Sequence, residues 1–266
     1  TIDFSTVENT TIAAAGSEGS PDSVITKEEG MFKRGASGEA YRPKFSILNP
    51  ALTQTLPPYQ TAAGVADIMA HLFERYFTNT PDVEVTDRLI EGLLLTMINE
   101  APKVIADPNN YEARANIMWA GMMAHNNCCG VGRGQDWASH NIEHELSAIY
   151  DVAHGAGLAV LTPAWMKYVY KDNIPMFVQF ATQVMGVEGS YREPDAIILE
   201  AIEKLRMFFL SIGQPATLSE MGIEEKDFEL MAKKCTGFAF GEEHPVGGLK
   251  KLYWQDVLNI YKLANE

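Results

Sequence analysis

The sequence has few cysteines, and their arrangement excludes two classes of protein. Three cysteines occur among 266 residues, and two of them, Cys128 and Cys129, are adjacent. An odd number with an adjacent pair is a poor basis for a disulfide framework. No Cys-x-x-Cys motif occurs, which argues against a cysteine zinc cluster. We therefore expect a reducing compartment, the cytoplasm.

Positive charge is also scarce. Lysine and arginine total 21 against 35 aspartates and glutamates, so the formal net charge is −14. Nucleic-acid binding depends on clustered lysine and arginine that replace condensed counterions. The sequence has no such cluster, which argues against a nucleic-acid partner.

Long hydrophobic runs and a secretory signal are absent as well. The apolar stretch at 158–165 is too short to span a bilayer. The first six residues, TIDFST, lack the basic segment and apolar run of a signal peptide. We therefore expect no membrane partner. The sequence also starts on β-prone residues without a methionine, which favours a piece of a longer chain.

The pattern of residues changes near position 56. Residues 1–56 are rich in Thr, Ser, Gly and Ala, with short β-type runs at 23–26 and 45–48 and an expected loop at 33–38. From Pro57 onward, apolar residues recur at helical spacing. This predicts a mainly α protein with helices near 57–77, 111–127, 137–150, 175–186, 195–212, 225–235 and 249–264, a helix that opens at 81–82 and carries apolar residues through 97, and a helix after His154 that carries them through 168.

Four side chains in the helical part have the types and spacing of metal ligands. Asp67 and His71 lie four residues apart, so they share one helix face. His140 lies in the fourth helix, and His154 follows at a break among glycines. A single helical histidine is more often a core or surface residue, but a buried imidazole or carboxylate needs a partner. Three imidazoles and one carboxylate suit Fe²⁺ or Zn²⁺.

Competing motifs do not hold on inspection. The segment from His144 begins like a zinc-protease motif, but Ala148 stands where the second histidine is required. No Glu-x-x-His occurs, which argues against a ferritin-like di-iron bundle. The glycine run at 130–134 is flanked by predicted helices on both sides, so it predicts a linker rather than a dinucleotide loop.

Two longer segments resemble a known family. Residues 55–71, TLPPYQTAAGVADIMAH, resemble the signature of iron-dependent alcohol dehydrogenases. Residues 135–148, QDWASHNIEHELSA, resemble the second signature of the butanol dehydrogenase branch of that family. Segments 151–155, 163–165 and 256–261 continue the match, so the resemblance covers nearly the whole chain.

The resemblance implies a dehydroquinate synthase-like fold of two domains. Residues 1–56 would be the end of an α/β nucleotide-binding domain, and residues 57–266 an all-helical metal-binding domain. The implied metal ligands are Asp67, His71, His140 and His154. His144 is then the candidate catalytic residue, placed near the nicotinamide and expected to relay a proton.

The resemblance also implies cofactor contacts in the first 56 residues. The positions that match the cofactor cleft, expected to hold NADP(H) or NAD(H), are Thr11, Gly16, Ser17, Lys33 and Leu52. Ala15 stands where many relatives have threonine, so one polar contact is expected to be missing. The chain has no strand–glycine–helix unit to anchor a pyrophosphate. We therefore expect this chain alone to bind the nicotinamide cofactor weakly.

The function that the resemblance implies is a metal-dependent alcohol dehydrogenase or aldehyde reductase. The expected substrate is a small aldehyde or alcohol in an apolar pocket, the expected metal is Fe²⁺ with Zn²⁺ as the alternative, and the expected assembly is a homodimer. One alternative is a non-catalytic metal-binding helical module. Another is a non-redox relative of the dehydroquinate synthase group, against which segment 140–144 argues.

Overall fold

The computed structural model describes residues 7–8, 12–13 and 16–266. Over these residues the chain forms four short strands followed by nine α-helices, joined by several 3₁₀ turns. The prediction of a mainly α protein is confirmed. None of the helices in this part of the chain has the length and apolar run that a bilayer crossing requires.

The four strands form two small sheets. Strand β1 (Val7–Glu8) pairs in parallel with β4 (Phe45–Ser46), and β2 (Asp22–Lys27) pairs antiparallel with β3 (Phe32–Ser37). The strands predicted at 23–26 and 45–48 are therefore present, but the loop predicted at 33–38 was wrong. Gly30, with φ 86°, lets the chain reverse before β3. Backbone pairing along the hairpin then outweighs the turn character of Gly35 and Ser37.

The helices lie close to their predicted positions, and their ends follow local signals. Asn110 caps a helix by accepting a hydrogen bond from the Ala113 amide, and Pro58 occupies the first turn of another. The nine helices are α1 (Pro58–Tyr76), α2 (Glu84–Ala106), α3 (Tyr111–His125), α4 (Ala138–Tyr150), α5 (His154–Val169), α6 (Ile174–Gln183), α7 (Pro194–Ser211), α8 (Phe228–Cys235) and α9 (Trp254–Leu263).

Helices α1 and α5 form the centre of the core. Both are buried on nearly every face, and they pack tightly together where α5 begins. A Cβ atom at Gly155 would overlap the carbonyl oxygen of Ala63, so only glycine permits this contact. The first residue of α5, His154, is thereby held against the middle of α1.

The glycine run before α4 is a linker, as predicted. Arg133 in this linker is buried, and its guanidinium donates to Asp87 Oδ1 at 2.7 Å and to the Tyr76 carbonyl at 2.6 Å. The linker is therefore tied to the end of α1 and the start of α2, which fixes where α4 begins.

Candidate metal centre

The carboxylate of Asp67 lies at the centre of a group of imidazoles. Asp67 and His71 are buried on α1, one turn apart, and His71 Nε2 lies 3.7 Å from Asp67 Oδ1. His140 on α4 and His154 at the start of α5 direct their Nε2 atoms to the same oxygen, at 3.5 and 3.9 Å. Three separate helices therefore bring imidazoles to one carboxylate oxygen.

The donor atoms of Asp67, His140 and His154 lie close enough together to be candidates for holding a shared cation. They all lie within 4.8 Å of one another. A metal bonded to each donor at about 2–2.2 Å would leave neighbouring donors about 3–3.5 Å apart, so these side chains would have to draw together by roughly 1 Å to bind it. Asp67 Oδ1 and His140 Nε2 are also buried without a hydrogen-bond partner among the described residues. Buried polar atoms are normally paired, and a cation between these atoms would supply the partner they lack.

His71 lies at the edge of this group. Its ring stacks between His125, at 4.0 Å between ring centroids, and His140, at 4.7 Å. The set of donors within 4.8 Å of one another is formed by the other three side chains. The assignment of His71 as a ligand therefore stays a prediction, which its distance from Asp67 supports.

The electrostatics of the group favour a carboxylate beside a positive charge. Burial raises the pKa of Asp67, but the neighbouring histidines outweigh burial and hold its pKa below the ordinary value. Burial lowers the pKa of His140, but attraction to Asp67 and Glu74 raises it to about 9. Burial and the surrounding cations place the pKa of His71 well below its usual range. The centre therefore stabilises a positive charge near Asp67 and at His140, but it disfavours protonation of His71.

Two buried glutamates, which the sequence analysis missed, lie behind the candidate ligands. Glu74 Oε1 lies 2.8 Å from His140 Nδ1, and Glu143 Oε2 makes a close contact with His154 Nδ1. In both histidines the other ring nitrogen is the one directed at Asp67. Buried carboxylates that bind the outer nitrogen of a ligand histidine are common around protein metals.

A large cavity opens above the centre. Its volume is about 890 Å³, and Asp67, His71, His140 and His154 line its floor together with His144. The β2–β3 hairpin supplies many of its other lining residues. Burial, and then the charges of neighbouring histidines and basic residues, lower the pKa of His144 to about 2. A neutral imidazole therefore faces the cavity at this position.

The predicted cofactor residues occupy different places. Ser17 and Lys33 line the cavity, and the side chain of Lys33 is 17% exposed. Gly16 packs directly on His125, where a Cβ atom would lie 2.5 Å from the His125 Cβ. Leu52 is 39% exposed and lies outside the cavity lining. Thr11, like Ala15, lies outside the described residues.

The cavity also contains His125 and Trp137, which sequence reasoning did not select. His125 Nε2 lies 3.4 Å from Asp22 Oδ2, and its Nδ1 lies 3.3 Å from an Arg75 nitrogen. The Trp137 ring lies 5.2 Å from the His140 ring. The only sequence signal for Trp137 was its position three residues before His140, and His125 had none because its partners are distant in the chain.

Comparison with known proteins gives a consistent match. The model of the Fe-containing alcohol dehydrogenase family, C-terminal part, matches residues 61–265. NADH-dependent butanol dehydrogenase B of Clostridium acetobutylicum is 42% identical over 95% of this chain and 64% of its own length. The NADPH-dependent aldehyde reductase YqhD of Escherichia coli is 36% identical over 89% of this chain and 61% of its own.

Solved structures agree with this match. The crystal structure of NADH-dependent butanol dehydrogenase A from Thermotoga maritima superposes with a TM-score of 0.90 at 39% identity. That alignment covers 96% of this chain and 65% of the Thermotoga chain. The chain thus spans slightly less than two thirds of the length of the relatives it matches.

Proposed function

The chain belongs to the Fe-containing alcohol dehydrogenase family, and we propose that it forms the metal-holding part of an enzyme that interconverts small aldehydes and alcohols with NADH or NADPH. The observation that carries this proposal is the convergence of Asp67, His140 and His154 beneath a large cavity. Relatives named as butanol dehydrogenases and as an aldehyde reductase support the substrate class.

We assign Asp67, His71, His140 and His154 as the metal ligands, with Fe²⁺ as the first choice and Zn²⁺ as the alternative. Nitrogen-rich sites with one carboxylate accept both ions. When bound, the metal supplies Lewis acidity toward the substrate oxygen, and the nicotinamide supplies or takes the hydride. The protein's part is to orient the substrate carbon and to keep water out.

The cavity walls suit a short aliphatic substrate. The Trp137 indole lies beside the rings of His71 and His140, with centroid distances of 6.1 and 5.2 Å. It therefore presents an apolar surface next to the candidate ligands. Residues of the β2–β3 hairpin also line the cavity. A carbon chain that packs against the indole loses contact with water.

His144 supplies a polar group to this cavity. Its ring centroid lies 5.5 Å from that of His154, and its low pKa keeps it neutral. A neutral imidazole has one nitrogen that donates and one that accepts a hydrogen bond. We propose that His144 uses this pair to hold or pass a proton beside the substrate oxygen.

We propose that Ser17 and Lys33 border the nicotinamide, since both line the cavity. The other expected cofactor residues, and weak cofactor binding by this chain alone, stay predictions. So do the domain boundary near residue 56, a cytoplasmic location and a homodimer. Sedimentation of the purified protein measures the last of these.

Metal analysis of histidine variants tests the ligand assignment. We expect the protein loaded with Fe²⁺ without oxygen to hold one ion, and His154→Ala to lose it. His244→Ala is the matched control, because the His244 side chain is 79% exposed and pairs only with Glu242 among the described residues. Equal metal content in the two variants would contradict the assignment.

Aldehyde-dependent oxidation of NADH and NADPH tests the reaction. We expect turnover of butanal that depends on the metal in protein that carries the nucleotide-binding part. A protein that binds metal but oxidises neither cofactor would instead favour the non-catalytic metal-binding module.

A further inference from the structure

Two carboxylates at the metal centre have no place in the ligand set. Glu74 on α1 is 1% exposed and Glu143 on α4 is fully buried. Ionised side chains are costly to bury without compensating contacts. The groups that contact Glu74 and Glu143 therefore indicate the role of each carboxylate.

The Glu74 side chain makes its hydrogen bonds to the start of α4. One oxygen, Oε1, accepts from the Ser139 hydroxyl at 2.6 Å and from the His140 amide at 3.0 Å. The same oxygen lies 2.8 Å from His140 Nδ1. Glu74 therefore fixes both the backbone and the ring of His140 from the neighbouring helix.

Glu143 has the equivalent position behind His154. Its Oε2 contacts His154 Nδ1, its Oε1 accepts from the Ser147 hydroxyl, and Lys33 Nζ lies 3.9 Å from Oε2. Gly157 on α5 leaves the space for this carboxylate, because a Cβ there would lie 2.8 Å from Glu143 Cγ. Each glutamate thus reaches from one helix to a histidine of another, from α1 to α4 for Glu74 and from α4 to α5 for Glu143.

A carboxylate at Nδ1 determines which ring nitrogen carries the proton. In the metal-bound state each ligand imidazole keeps one N–H, and a carboxylate acceptor draws that N–H to itself. Nε2 is then left with a lone pair, which is the state that a metal requires. In both His140 and His154 this nitrogen is directed at Asp67 Oδ1, at 3.5 and 3.9 Å.

We propose that Glu74 and Glu143 are positioning residues that set the metal affinity of the centre by holding His140 and His154 in the metal-binding tautomer and orientation. This rests on the proposed function, because it takes the four assigned side chains as the ligands.

Zinc affinity of glutamine variants tests the proposal. We expect Glu74→Gln and Glu143→Gln to bind Zn²⁺ about 10- to 100-fold more weakly in competition with a chromophoric chelator, as for other outer-shell partners of metal ligands. Glutamine keeps the size of the side chain but can present an N–H to Nδ1, which stabilises the wrong tautomer.

Glu145→Gln is the matched control. Glu145 is also fully buried on α4, but its oxygens lie 2.9 Å from Arg34 and 3.3 Å from Lys234 rather than beside a ligand histidine. We expect its zinc affinity to equal that of the wild type. Unfolding of each metal-free variant is measured in parallel, because a merely structural role would alter stability and leave zinc affinity unchanged.

Ser147→Ala covers the case in which a glutamate variant does not fold. It removes one tether of Glu143 and keeps the carboxylate, so we expect a smaller loss of affinity in the same direction. The proposal is wrong if the folded glutamine variants bind zinc as tightly as the Glu145→Gln control. Where the glutamine variants do not fold, the same result for Ser147→Ala overturns it. In either case the ligand assignment stands. If the wild type binds no zinc, the proposed function fails with it.

Discussion

Replacement of Arg133 by methionine is expected to destabilise the metal-free protein by about 3–5 kcal/mol, the usual cost of breaking a buried ion pair. The Arg133 side chain is fully buried, and it donates to Asp87 at 2.7 Å and to Thr86 Oγ1 at 3.1 Å. It also donates to the Tyr76 carbonyl at the end of α1. Methionine fills similar space but leaves the Asp87 charge with only the amide of Gln179, at 3.3 Å, among its described partners.

Urea unfolding in the presence of a chelator measures this cost. The control is Arg206→Met, because the Arg206 side chain is 35% exposed and pairs at 3.2 Å with Glu203, whose side chain is 59% exposed. We expect that change to cost about 1 kcal/mol or less. The double variant Asp87→Asn with Arg133→Met should regain much of the loss, because no unpaired charge remains. Equal costs for the two arginine variants would refute the reasoning.

Three further predictions concern the centre and its cavity. Gly157→Ala should weaken zinc binding, because the new Cβ would lie 2.8 Å from Glu143 Cγ and must displace the Glu143 side chain. Unchanged zinc affinity in a chelator competition would contradict this. Trp137→Ala should raise KM for butanal, because it removes the apolar surface beside the candidate ligands. The control Trp119→Ala, at a residue that is 55% exposed, should leave KM unchanged. Equal KM values for the two variants would argue against an apolar wall at Trp137. Removal of the metal should lower the melting temperature, because metal at a free concentration a thousandfold above its Kd adds about 4.1 kcal/mol to the free energy of unfolding. Thermal unfolding with and without a chelator measures the change in melting temperature.

The sequence predicted most of the helices because their apolar residues follow one period over long segments. It failed at residues 33–38, where Gly35 and Ser37 have turn character. This strand is mostly exposed and is held by backbone pairing with β2, so no pattern of buried side chains indicates it.

The centre was predictable only where ligands share a helix. The spacing of Asp67 and His71 places them one turn apart, and the structure confirms that arrangement. Glu74 and His140 are 66 residues apart in the chain. Contacts of this kind depend on how α1, α4 and α5 pack, and a glutamate that binds a histidine across two helices has no local signal. The resemblance named ligands but not the carboxylates that orient them.

The most direct test of the account is an anomalous-scattering crystal structure of the metal-loaded protein, with data collected at the absorption edge of the metal. We predict one peak at the floor of the cavity, within about 2–2.2 Å of donor atoms from Asp67, His71, His140 and His154. A peak held by other side chains, or ligand donors that remain apart around an empty centre in protein shown to contain metal, would contradict it.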